Sequence, residues 1–317
     1  MATLEQIAEA LRSAERVTIL CHQFPDGDTL GAGTALCRAL RRLDKRAAVH
    51  CSDPIGPKYA FLFRDLPDDD FENGLVVSVD VADRSLLGEP LLSRYGKIDF
   101  AVDHHRSGIP FAAESYVDPT AAATCEIIFD LLKLLGVPLD RLLADSLYTG
   151  VTTDTGCFKY VNTTPRTHRI AAELIEAGAD SVEIDRAMFD TKSRARIEME
   201  RRVLDSIRFT RHGEIALILI TKQMIGETGV VEDDLDGIAS IPRSIEGVRI
   251  GITLREKDDG AYKVSLRARP PADASVICGH FGGGGHKGAA GCTLAMPVGE
   301  AAEKILAAAE RYLSEGV

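Results

Sequence analysis

Short apolar runs alternate with helix-length stretches through the first half of the chain, and that alternation constrains the fold more than any other feature. Residues 17–21, 47–51, 75–79 and 98–102 are strand-length runs dominated by apolar side chains. Residues 29–43, 122–135 and 141–150 carry small and aliphatic residues at helical spacing. Strands alternating with helices imply an α/β architecture with a doubly wound parallel sheet. Such a sheet gathers ligands beyond the carboxyl ends of its strands.

The pattern changes after residue 191. Residues 192–205, KSRARIEMERRVLD, are highly charged with few apolar positions. They are expected to form a helical linker, exposed on much of its surface. Beyond it, residues 214–220, 248–255 and 261–269 are strand-like, the last two flanking a hairpin turn at Lys257-Asp258-Asp259-Gly260. Helices are expected over 231–240 and 298–313. A chain of 317 residues therefore divides into an α/β domain at 1–191, a linker at 192–206, and a smaller α+β domain with a mostly antiparallel sheet at 207–317.

Charge bounds the function. Lys and Arg number 37 against 48 Asp and Glu, a net charge of -11. That balance suits long duplex nucleic acid poorly, because non-specific affinity for it comes from basic surface. Aromatics make up 6% of the chain and Trp is absent, which argues against a stacking channel for long single strands. Small anionic substrates remain compatible where local cations or metals offset the charge. No apolar run reaches the roughly 18–20 residues that cross a bilayer. The N-terminus lacks a basic segment followed by an apolar core, so no signal peptide is expected. Seven scattered cysteines without a C-x-x-C pair suit reduced thiols in a cytoplasmic protein.

The chemistry-bearing residues cluster at the strand ends. His22, Asp26 and Asp28 follow the first strand, Asp80 the run 75–79, and Asp103, His104 and His105 the run 98–102. Asp154 lies in Thr152-Thr153-Asp154-Thr155-Gly156, just after a helix. Taken singly, each has a structural reading: a turn, an Asx cap, or a histidine pair at a strand end. Taken together at these positions they describe one site. Four carboxylates sharing a small volume raise one another's pKa unless cations intervene. Two divalent ions would offset Asp26, Asp28, Asp80 and Asp154 formally, with His22 and His104 as nitrogen ligands. Mixed oxygen and imidazole ligation with open positions suits manganese, ahead of magnesium, iron, cobalt or zinc. Two metals about 3.5–4 Å apart can clamp a nucleophile and a phosphoryl oxygen in an in-line displacement.

His22-Gln23-Phe24-Pro25-Asp26-Gly27-Asp28, Val79-Asp80, Asp103-His104-His105 and Thr153-Asp154-Thr155-Gly156 resemble the four motifs of the DHH phosphoesterase superfamily. Near the other end, Gly282-Gly283-Gly284-Gly285-His286, followed by Lys287-Gly288-Ala289-Ala290-Gly291, resembles the nucleotide-binding signature of the DHH-associated C-terminal domain. Motif order and chain length are similar to the compact branch that includes the NrnA-type oligoribonuclease and pAp phosphatase. The resemblance implies one metal on His22, Asp26 and Asp80. It implies a second on Asp28, Asp80, His104 and Asp154, with Asp80 bridging. His105 would face the scissile phosphate and Asp103 would orient a histidine. Asp80-Val81-Ala82-Asp83 has Val where related chains carry Thr, but keeps the metal-binding Asp.

The glycine run has a physical case of its own. It leaves backbone N–H groups open to a phosphate, with His286, Lys287 and Arg267 as side-chain partners. Ala121-Ala122-Ala123-Thr124-Cys125-Glu126 resembles the small-residue helix start that follows the third motif in this superfamily, but reads here as simple helix packing and capping. The expected activity is manganese-dependent hydrolysis of short oligoribonucleotides, of pAp, or of both. The alternatives are a phosphodiesterase acting on cyclic or linear dinucleotides (c-di-AMP or pApA) and a nucleotide-binding sensor without catalysis. The expected partners are small nucleotides and, from the resemblance, a second copy of the chain in a homodimer.

Overall fold

The computed structural model describes residues 1–67, 69–71, 74–106, 108–235 and 237–315. They form two compact units, Met1–Thr191 and Lys192–Val317.

The first unit is built on five parallel strands, β1 (Arg16–Leu20), β2 (Arg46–His50), β3 (Leu75–Val79), β4 (Phe100–Asp103) and β5 (Glu114–Val117), in the order β2-β1-β3-β4-β5. Its helices are α1 (Leu4–Ser13), α2 (Gly27–Arg42), α3 (Glu89–Arg94), α4 (Thr124–Leu135), α5 (Arg141–Asp154), α6 (Pro165–Glu176) and α7 (Ser181–Asp185). β1 pairs with β2 on one side and β3 on the other, so the connections diverge on either side of β1 and open a crevice at the strand ends.

Local chemistry sets these elements. Thr3 and Gln6 form a reciprocal capping box that starts α1, which buries Leu4, Ile7 and Leu11. α2 is buried along most of its length, and small residues make that possible. A Cβ on Gly33 would stand 2.8 Å from Cys21 Sγ, and one on Gly31 would stand 2.4 Å from the Ser146 carbonyl oxygen of α5. The helix thus lies close to β1 on one side and α5 on the other.

The second unit carries six strands, β6 (Arg208–Thr210), β7 (Ile215–Ile220), β8 (Ile250–Glu256), β9 (Tyr262–Ala268), β10 (Gly284–His286) and β11 (Ala289–Leu294), in the order β10-β11-β9-β8-β7-β6. All pairings are antiparallel except β7 with β8. Its helices are α8 (Arg194–Asp205), α9 (Lys222–Thr228), α10 (Ile241–Ser244), α11 (Ala274–Gly279) and α12 (Val298–Ser314). Alternate residues of β8, β9 and β11, among them Ile252, Val264, Leu266, Ala290 and Cys292, share a core with Ile277 of α11 and Ile305 of α12.

Three of the segments read from the sequence take a different form in the structure. The segment expected as a separate linker forms α8, whose Met199 and Val203 are fully buried with Ile218, Ile220 and Ile238, so it packs as part of the second unit. The helix expected over 231–240 is instead a pair of 3-10 turns, Glu232–Leu235 and Ile238–Ser240, separated by Gly237 at φ +76°. Asp154 is the last residue of α5 rather than part of a turn beyond it. Among the described residues, no helix is long and apolar enough to cross a membrane.

Candidate metal centre

The crevice beside β1 and β3 holds every acid and histidine expected of the first-unit site. Asp26 caps α2, its Oδ1 accepting from the N–H groups of Asp28 at 3.0 Å and Thr29 at 3.1 Å. Asp28 follows in the first turn and is buried. Asp80 comes directly after β3 in the left-handed region, at φ +60°. Its N–H donates to the Val102 carbonyl of β4 at 2.9 Å. A non-glycine residue there is uncommon, and the bond to β4 helps hold that conformation. β4 ends in Asp103, and His104 and His105 follow.

Three groups each bring ligand atoms within 4.8 Å of one another: His22 with Asp26 and Asp80, Asp28 with His104 and Asp154, and Asp80 with His104 and His105. The two carboxylate oxygens of Asp80 face different histidines. Oδ2 lies 3.7 Å from His22 Nε2 and Oδ1 lies 3.7 Å from His104 Nε2. One side chain therefore reaches both halves of the site.

The histidine tautomers follow from their partners, because a carbonyl oxygen can only accept. His22 Nδ1 donates to the Gln23 carbonyl at 2.7 Å, and His104 Nδ1 to the Ala121 carbonyl at 3.2 Å. With Nδ1 committed in this way, each ring turns its Nε2 into the site, where it can offer a lone pair to a cation once it carries no proton. His104 Nε2 is buried without a hydrogen-bond partner, 3.3 Å from Asp154 Oδ2 and 4.0 Å from Asp28 Oδ2. A lone pair facing carboxylate oxygens is repulsive unless a proton or cation stands between them. Among the described residues, none of Asp26, Asp28, Asp80 and Asp154 forms a salt bridge to lysine or arginine. The donor set therefore fits divalent cations.

The electrostatics express the same crowding. Burial pushes the Asp28 carboxyl well above the usual carboxylate range, reinforced by Asp80, Asp154 and Asp26. Burial and then Asp80 and Asp26 push Asp154 up to about 8. Against the opposing effect of burial, Asp26 and Asp80 raise His22 to about 11. His105 rises to about 9, chiefly through its 2.7 Å hydrogen bond to Asp103 Oδ1, which outweighs burial. Asp103 is buried and also accepts the His104 N–H at 2.8 Å, so it orients the His-His pair.

Several supporting residues were given no part in the site by the sequence. The N–H groups of Thr124 and Cys125, at the start of α4, donate to the two oxygens of Asp28 at 2.6 and 2.9 Å. The Thr124 hydroxyl donates to Asp80 Oδ1 at 2.9 Å. The segment read as plain helix packing thus grips two of the central carboxylates. Gly150 of α5 lets that helix close on the site, since a Cβ there would lie 2.2 Å from Cys125 Sγ and 2.6 Å from Asp28 Oδ1. Asn162, with no role assigned from sequence, donates to the Ala122 carbonyl at 2.9 Å and the Asp154 carbonyl at 3.1 Å. It thereby ties the end of α5 to the segment leading into α4.

In the second unit, the glycine run is half strand. Gly284, Gly285 and His286 form the edge strand β10, while Gly282 and Gly283 lead into it. His286 lies opposite Ala289, and Ala289 opposite Arg267, so His286 and Arg267 share one face of the sheet across a small residue. The buried residues Val264, Leu266 and Ala290 occupy the opposite face. Backbone approach is tight: a Cβ on Gly283 would stand 2.2 Å from the Gly291 carbonyl oxygen, and Gly285 sits at φ +142°. Both positions require glycine.

Comparison with known proteins agrees with this arrangement. Residues 16–151 match the model of the DHH family, N-terminal domain, and residues 217–315 match that of the DHHA1 domain. The chain is 34% identical to the bifunctional oligoribonuclease and PAP phosphatase NrnA of Thermus thermophilus, over 97% of this chain and 94% of that protein. It is 26% identical to the cyclic-di-AMP phosphodiesterase GdpP of Geobacillus thermodenitrificans, over 98% of this chain but 49% of that longer protein. The crystal structure of an exopolyphosphatase-related protein from Bacteroides fragilis superposes with a TM-score of 0.86 at 25% identity, covering 98% of this chain and 96% of that one. With its strand-end acids and histidines gathered in one crevice and a near full-length relative at this identity, the chain belongs to the DHH family.

Proposed function

We propose that the chain is a manganese-dependent phosphoesterase that hydrolyses short oligoribonucleotides and the nucleotide bisphosphate pAp. One observation carries the reading: four carboxylates and two histidine Nε2 atoms converge and, among the described residues, no lysine or arginine forms a salt bridge with those carboxylates. The near full-length similarity to an oligoribonuclease and PAP phosphatase supports the choice of substrate.

His22, Asp26 and Asp80 would hold one cation, and Asp28, Asp80, His104 and Asp154 a second, with Asp80 shared. Divalent cations bound there would supply positive charge against phosphoryl oxygens and make water a better nucleophile near neutral pH. The remaining work falls to the chain. Thr124 and Cys125 fix the Asp28 carboxylate, Thr124 fixes Asp80, and the Gln23 and Ala121 carbonyls fix the histidine rings. Such supporting bonds hold ligands in register before substrate arrives. His105, steered by Asp103, would donate to a phosphoryl oxygen. His286, Arg267 and the open backbone of Gly282, Gly283, Gly284 and Gly285 would bind a second phosphate or the nucleotide that carries it.

The test is a time course of phosphate and nucleotide release with manganese, using pAp, pApA, c-di-AMP and a short RNA ladder side by side. Turnover of short RNA and pAp, lost in Asp154→Ala, is the expected result. Preference for c-di-AMP would move the protein to cyclic dinucleotide breakdown. Binding without turnover would make it a sensor.

A further inference from the structure

Away from the metal centre, the first unit contains a cavity of about 240 Å³ bounded by α2, α5, α7 and the 3-10 helix Pro57–Phe63. Arg38 of α2 lines it, ten residues beyond Asp28 and so roughly 15 Å further along that helix. From α5 come Leu142 and Asp145, near the end remote from Asp154.

Arg38 is the unusual element. It is only 6% exposed, and Nη2 alone makes its two hydrogen bonds, to the Leu62 carbonyl at 2.9 Å and the Arg64 carbonyl at 2.6 Å. Nε is buried with no partner. Among the described residues, Arg38 forms no salt bridge. The acids lining the cavity pair with arginines other than Arg38, among them Arg141, which also lines it. Asp180 accepts from Arg141 at 3.0 Å and caps α7. Asp145 faces Arg141 at 3.6 Å and accepts the Asp180 N–H, while Glu183 pairs with Arg186. Arg64 lines the cavity as a second cation without a salt bridge among the described residues. The rest of the wall includes Phe61, Leu62, Leu142 and Ile184.

Asp65 and Asp140 favour the Arg38 charge from beyond salt-bridge distance. No carboxylate among the described residues pairs with it directly, and a buried guanidinium left so beside an apolar wall suits a ligand that supplies a contacting negative charge. We propose that this cavity binds a small organic anion, its phosphate-like or carboxylate head on Arg38 and Arg64 and a compact apolar body against Phe61, Leu142 and Ile184. The site is separate from the metal centre but shares its scaffold. α2 and α5 are joined beside the cavity by the 3.1 Å bond between Thr34 Oγ1 and Ser146 Oγ, and they carry Asp28 and Asp154.

Phenylphosphonate, which no phosphoesterase can hydrolyse, is the probe. Its binding to the manganese-loaded full chain is followed by calorimetry in wild type, Arg38→Met and Ala187→Phe. Ala187 also lines the cavity, so the second variant adds bulk to its wall while leaving every charge in place and keeps the test decisive if Arg38→Met fails to fold. The expected result is a saturable component in wild type that weakens at least 10-fold in both variants, while hydrolysis of pAp is retained in Ala187→Phe. Binding that neither variant changes would assign the probe to the metal centre and overturn the proposal. So would the absence of that component in wild type, including the case in which a second copy of the chain covers the cavity.

Discussion

The Thr124 hydroxyl donates to Asp80 Oδ1 across 2.9 Å, tying the first turn of α4 to the carboxylate at the end of β3. Asp80 is the side chain whose two oxygens face different histidines, so this bond sets how both halves of the site are shared. Thr124→Val keeps the shape and deletes the donor. It is expected to weaken manganese binding or activity by about 10–100-fold, as loss of a ligand-orienting partner does. Thr124→Ser should recover most of that loss. Manganese titrations of the two variants check the point, and equal affinities would show that the hydroxyl is idle.

Gly150 is the second lever. Any side chain there meets Cys125 Sγ and Asp28 Oδ1 well inside contact distance. Gly150→Ala must therefore push α5 away from α2 and α4. Overpacking of this kind costs about 1–3 kcal/mol, and here it should also reduce metal affinity because Asp154 moves with α5. Thermal melts with and without manganese separate the two effects. A melt unchanged from wild type would mean that the helices absorb the extra methyl without separating.

Glu126 of α4 is completely buried, and Arg166 of α6 reaches it at 2.7 Å while also pairing with Asp130. Removing Arg166 leaves the buried Glu126 carboxylate without its charged partner. Because Arg166 is itself 39% exposed, Arg166→Met is expected to cost about 1–3 kcal/mol. Converting Glu126→Gln in the same chain should return part of that stability. Denaturant unfolding of the single and double variants measures the difference.

Much of the first unit was legible because its strands are buried on both faces and read as apolar runs, each ending where a polar side chain can emerge. β5 escaped notice because Glu114–Val117 lies at the sheet edge and none of its residues is fully buried. The grip of α4 on Asp28 was illegible for a different reason: two of its donors are backbone N–H groups, which any residue supplies, so Ala-Ala-Ala-Thr-Cys carries no signature of them. α8 looked like a free linker because its charges outnumber its apolar residues. Two buried side chains, Met199 and Val203, are enough to seat it. At 231–240 the apolar spacing was helical, but Gly237 adopts a left-handed conformation that breaks the helix.

Stripping the metals should expose the repulsion among the carboxylates. In the metal-free chain Asp154 is raised to about 8, against about 3.9 for an unfolded aspartate. The folded state then holds a proton that the unfolded state has released. Stability of the stripped protein should fall as pH rises from about 4 to about 8. Asp154→Asn cannot lose that proton, so its melting temperature should fall less across the same window. Parallel melts at pH 5 and pH 8 decide it, and identical slopes would contradict the crowding described above.

The most direct test of the account is the initial rate of phosphate release from pAp, and of mononucleotide release from a short RNA, as manganese is titrated into wild type and Asp80→Ala. The account predicts metal-dependent turnover of both substrates in wild type and a fall of several orders of magnitude in the variant, because one carboxylate serves both halves of the site. Wild-type rates in Asp80→Ala, or turnover that ignores the metal, would contradict it.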